Sequence, residues 1–342
     1  MILRDLKTLA LIGAVSMLSA CTVNGGDTDD ETATGAATTG GPTTTTPTTG
    51  NETTGGEAVD GPICVNFGGQ KGVEAVVGVF VGNVLANESI NAYFINKESL
   101  GDGGAQLVGC LNTQVGEAVG CAGVKYECMD MTTAHVGMGI STNDFNDLAS
   151  DFSKAMDGVA TITAENKMIV MGVLGGMAPM IVEDADNNKT TYQNIGRKPA
   201  INGVMDEFIG LVVADMSIAG FFGKTDAARL KTCLVRQVID ATAGGSSLGE
   251  IYGNEVTSPV PAVDPGVTTE KPCLDMKTSH ASLQDPGDMM GIQYADFGAL
   301  VGHLITALDN AGVGMTDKNA IIGALGPLCP DIVTVDPELC GT

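Results

Sequence analysis

The chain of 342 residues has three histidines, and two of them stand at the same point of one local pattern. In "CMDMTTAHVGMGI", Cys128 to Ile140, His135 follows a Cys by seven residues, Asp130 by five and Met131 by four. In "CLDMKTSHASL", Cys273 to Leu283, His280 has Cys273, Asp275 and Met276 in the same frame. Met and His four apart lie on one helical face, so each imidazole is expected among apolar groups. A single histidine there is ordinarily a core residue bonded to a backbone carbonyl. Two at one register, in surroundings that otherwise differ, point instead to a retained metal ligand. A structural zinc site needs four clustered donors, which neither segment offers. One imidazole is enough for haem iron.

The elements that must hold these residues also come twice. "VFVGNVLANESINAYF" (Val79 to Phe94) aligns with "EFIGLVVADMSIAGFF" (Glu207 to Phe222), and "LVGCLNTQV" (Leu107 to Val115) with "LKTCLVRQV" (Leu230 to Val238). "NDFNDL" (Asn143 to Leu148) aligns with "ADFGAL" (Ala295 to Leu300), and "MGVLGGMAPMIV" (Met171 to Val182) with "IGALGPLCPDIV" (Ile322 to Val333). The order is the same throughout, which predicts a tandem duplication of units of ordinary domain size. Val73, Val77, Phe80, Val81 and Val84 recur at three-to-four spacing, as do Ile201, Met205, Phe208, Ile209 and Val212. That period predicts helices. No strand alternation is evident, so the expected class is all-α.

The net charge of −24 opposes nucleic acid, whose phosphates it would repel. The first residues look like an export signal: Arg4 and Lys7 precede the apolar "LALIGAVSML". "LSAC" then resembles a bacterial lipoprotein box, which implies cleavage before Cys21 and lipidation of its thiol. A plain signal peptide or a short membrane anchor is the bland alternative, although the apolar run is short for a span. Thr22 stands where a retained inner-membrane lipoprotein would carry Asp, so the outer membrane is expected, in the envelope of a bacterium. The Thr- and Gly-rich stretch to Pro62 cannot bury apolar surface and is expected to be a disordered stalk.

The ordered set of motifs resembles the group 1 truncated haemoglobins, twice over. The carriers are "FGG" at Phe67, the "F…VLA" helix at Phe80 to Ala86, "YF" at Phe94 and "FF" at Phe222. "M…AH.G.GI" around His135, "DF" at Phe145 and Phe297, and "GHLITALDNAGV" (Gly302 to Val313) follow. The resemblance implies two tandem two-over-two helical sandwich domains. The expected layout is a signal peptide at 1–20, a linker at 21–62, globin domains at 63–183 and 190–335, and a tail at 336–342. It implies one haem b per domain, with His135 and His280 as proximal ligands and Phe94 and Phe222 wedged against the porphyrin. Phe80, Phe208, Met131 and Met276 are expected to line the pockets, and His303 to be structural.

The departures from the family lie on the distal side. Its usual Tyr is Val81 in one unit and Ile209 in the other. Its distal helix presents Leu107 and Leu111, and Leu230 and Leu234. Gln114 and Gln237 match between the units but lie three residues further on, and are expected to face elsewhere. The pockets are therefore expected to be apolar. A missing charge-assisted donor, worth about 1.5–3 kcal/mol, predicts rapid oxygen release. Binding of a diatomic gas (O2, NO or CO) is expected over haem-enzyme chemistry on NO or peroxide, for which no distal acid–base pair is evident. A tyrosine entering from another helix, Tyr93 or Tyr126, would favour the enzyme. A globin fold without haem is a further alternative. No redox partner is indicated.

With Cys21 lipidated, eight of nine cysteines remain. An exported chain keeps disulfides. Matching positions in the units predict Cys110–Cys128 and Cys233–Cys273. Cys329–Cys340 and Cys64–Cys121 complete the scheme.

Overall fold

The computed structural model describes residues 58–95, 104–243, 265–268 and 270–341. The expected signal peptide, Cys21 and most of the expected linker lie outside them. The described residues are all-α, with no strand beyond the isolated bridges Ser141–Asp184 and Thr268–Lys271.

The helices fall into two series in the same order. The first holds α1 (Pro62–Phe67), α2 (Gly69–Ala86), α3 (Ala105–Val119), α4 (Met131–His135), α5 (Thr142–Asp157) and α6 (Ala164–Ile181). A short α7 (Thr191–Asn194) opens the second. It continues with α8 (Arg197–Ala214), α9 (Ala227–Thr242), α10 (Met276–His280), α11 (Tyr294–Asn310), α12 (Met315–Leu325) and α13 (Cys329–Ile332). In the first, α2 packs on α3 and α5, and α6 packs on the same two helices. In the second, α8 packs on α9 and α11, and α12 on the same pair. Each series is thus two helices laid over two, and the buried apolar side chains of both form one continuous core.

The spacing of apolar residues explains the helices. Val73, Val77, Phe80 and Val84 of α2 are buried, as are Ile201, Met205, Phe208 and Val212 of α8. Phe80 stacks edge-on against Phe152 of α5 with ring centroids 5.1 Å apart. The start of α5 is fixed by a reciprocal cap: Ser141 Oγ accepts from the Asp144 amide and Asp144 accepts from the Ser141 amide. Gly72 is required by contact, because a Cβ there would collide with the carbonyl of Phe67. No helix among the described residues is long and apolar enough to cross a membrane.

Candidate functional site

Each residue of the frame around the two histidines has a distinct task. Asp130 caps α4 by accepting from the Thr133 amide (3.0 Å), and Asp275 caps α10 through Thr278 (2.8 Å). Both carboxyls are held below the usual carboxylate range by those bonds. One turn on, the Met131 carbonyl lies 2.7 Å from His135 Nδ1, and the Met276 carbonyl 2.7 Å from His280 Nδ1. A carbonyl only accepts, so Nδ1 carries the proton and Nε2 keeps its lone pair. Burial lowers the pKa of both imidazoles, against the smaller opposing pull of those carbonyls. Each ring is therefore neutral at pH 7, with Nε2 making no hydrogen bond among the described residues. That is the state in which imidazole binds a metal.

The Cys at the head of each frame is bonded to the long helix across the cavity. Cys128 joins Cys110 of α3 (Cα–Cα 5.9 Å) and Cys273 joins Cys233 of α9 (5.5 Å). Cys64 joins Cys121, and Cys329 joins Cys340. Behind His135, Glu183 accepts from the amides of Gly137 and Gly139, both at 2.6 Å. Both glycines have positive φ, so the turn that presents the histidine is clasped by the chain leaving α6. Nothing in the local sequence flagged Glu183.

His135 and His280 each line a cavity between the layers. The first, of about 230 Å³, brings together Phe80, Phe94, Leu107, Leu111, Met131 and His135. The second, of about 550 Å³, brings together Phe208, Ile209, Phe222, Leu230, Leu234, Met276 and His280. Val81 does not line the first cavity. It lies about 100° round the helix from Phe80 and packs half-buried against the core. His303 is elsewhere, with Nε2 2.8 Å from Asp215 at the end of α8.

The cavities are not wholly apolar, contrary to the expectation from sequence. Gln114 and Gln237 line them. Residues 107, 111 and 114 are spaced four and three apart, so they share one helical stripe. Gln114 Nε2 donates to the sulfurs of Met131 (3.4 Å) and Met177 (3.3 Å), and Gln237 Nε2 approaches the Met276 sulfur (3.6 Å). Tyr93 and Tyr126 also line the first cavity. Their hydroxyls are used within the protein: Tyr93 donates to Asp144 Oδ2 (2.9 Å) and Tyr126 to the Met129 carbonyl (2.5 Å). At the second cavity Lys224, Arg229 and Lys271 add positive charge and Asp226 a negative one.

No family model matches the chain. The group 1 truncated hemoglobin GlbN of Mycolicibacterium paratuberculosis is 32% identical over 143 residues, covering 42% of this chain and 83% of that protein. The chain belongs to the group 1 truncated haemoglobins. The all-α architecture is accordingly a globin fold.

Proposed function

We propose that the chain is an exported lipoprotein carrying two tandem truncated-globin domains, each binding one haem b for reversible capture of a diatomic gas. The observation that carries this reading is the paired imidazole. At the same register of both series, a neutral histidine has its Nδ1 fixed by the carbonyl four residues earlier, leaving Nε2 with no partner among the described residues beside a largely apolar cavity. The residues present fit the group. His135 and His280 would be the ligands, while Phe94, Leu107 and Leu111, with Phe222, Leu230 and Leu234, would supply apolar surface for a flat ring. Haem, when bound, supplies the iron at which a gas molecule coordinates.

The chain's own part is to orient and to exclude. The carbonyls of Met131 and Met276 set the imidazole planes and raise ligand basicity, as outer-shell acceptors do for metal-bound histidines. The glutamines are held on methionine sulfurs, and the tyrosine hydroxyls of the first cavity on protein oxygens. With those donors engaged, the chain would offer little stabilisation to a gas ligand held in either cavity, which suits reversible capture more than oxygen activation. Cys21 would tether the protein to the bacterial envelope through lipid.

An absorption spectrum of protein recovered from haem-supplemented cells tests this. A Soret band that shifts on reduction and again with carbon monoxide is expected. A folded, helical protein without one would refute it.

A further inference from the structure

Every residue lining the first cavity belongs to the first helix series, but two of them sit in a network that reaches the second. Tyr93 and Asp144 both line it, and both are buried. Asp144 Oδ2 accepts from Tyr93 OH, from the amide and hydroxyl of Ser141, and from Gln193 Nε2 at 2.6 Å. Asp144 Oδ1 accepts from Arg197 Nη1 at 3.0 Å. Gln193 Nε2 also lies 3.3 Å from the Tyr93 hydroxyl. Gln193 and Arg197 belong to α7 and α8, the opening of the second series.

We propose that Gln193 and Arg197 position Tyr93 and Asp144 in the wall of the first cavity, so that the seating of the second series governs how tightly that cavity holds its occupant. The retention part rests on the haem reading above; the positioning part does not.

Three observations carry it. First, a buried carboxylate is costly unless its oxygens are bonded, and two of its donors come from the other series. Second, Arg197 has φ +64°, a conformation L side chains rarely adopt. Its aligned position in the first series is Gly69, which is also at positive φ. The arginine is kept there against its backbone preference, and its Nη1 bridges Asp144 and Asp147 (2.6 Å). Third, the second series does not repeat the arrangement. Phe221 stands where Tyr93 does, and Asp296 accepts only from the Gln293 amide among the described residues. The network therefore serves the junction and is not needed to build the fold. Lys198 Nζ on Asn91 Oδ1 (3.1 Å), also buried, and Asn202 on Glu88 (3.0 Å) extend the same seam.

The test is native-state hydrogen exchange by mass spectrometry on the full chain, comparing Q193L/R197M and R197G with the parent. Loss of a charge-assisted bond to a buried carboxylate should speed exchange at 90–95 and 141–148 about tenfold in both variants. A purely backbone role for residue 197 predicts the opposite sign in R197G, because glycine relieves the positive φ. In an H280A background, which leaves iron only in the first cavity, haem loss should quicken by a similar factor in both. R197K, which keeps the charge, should recover part of it. Unchanged exchange at both stretches would overturn the positioning, and faster exchange with unchanged haem loss would overturn the control of retention. If no version takes up haem, the haem reading falls with the retention claim, and exchange alone decides the positioning.

Discussion

Removing the Cys233–Cys273 bridge should cost the protein more than removing its counterpart in the first series. The bridge closes a loop with a sequence separation of 40 residues. In the chain-entropy treatment a loop of that length contributes about 3.9 kcal/mol at 25 °C. The matching Cys110–Cys128 bridge closes only 18, for about 3.2 kcal/mol. The perturbations are Cys233→Ala with Cys273→Ala, and Cys110→Ala with Cys128→Ala, so that no free thiol remains. Urea unfolding followed by helical circular dichroism reads both. The midpoint should fall with little change in slope if the native state is intact, and the longer loop should cost more. The second bridge also holds the chain ahead of Asp275, the cap of α10, so His280 should lose its fixed orientation. Losses under about 1 kcal/mol in both variants, or a larger loss for the shorter loop, would refute the entropic argument.

Phe80→Ala should destabilise by about 3–5 kcal/mol, because the ring is buried against Phe152 and the cavity beside it cannot collapse onto the gap; chemical denaturation reads it, and a loss below about 1 kcal/mol would contradict the packing. The alkaline limb of stability should be set by Tyr93 and Tyr192. Burial, reinforced by Asp144, raises both phenols above their ordinary value. A raised phenol is neutral in the fold, so its contribution is full below pH about 10 and is lost as pH rises through the folded value. Absorbance titration alongside circular dichroism should show both ionising only as the helices melt; ionisation of every tyrosine near pH 10 with the helices intact would contradict the burial.

Much of the fold was legible because its signals are local or repeated. Apolar spacing in α2 and α8 marked the helices, and the doubled frame marked Asp130, Met131 and His135 as a unit, in which the structure makes Asp130 the cap and Met131 the carbonyl that orients the imidazole. The cavity linings were less legible. Val81 is one residue from Phe80, yet a turn of about 100° takes it out of the first cavity. In the wider second cavity, Phe208 and Ile209 both reach the wall. Gln114 enters the cavity for the converse reason: three residues beyond Leu111 is nearly a full turn, which returns to the same stripe. The junction of Asp144 with Gln193 and Arg197 has no local signal, since its partners are 49 and 53 residues apart and the second series lacks the counterpart.

On the proposed function, His135 and His280 each hold one haem. The most direct measurement is the haem-to-chain ratio, by pyridine haemochromogen assay, of the parent, His135→Ala, His280→Ala and the double variant, all shown to be folded. The expected ratios are about two, one, one and none. A ratio that does not fall when either histidine is removed, or no haem in the folded parent, would contradict it.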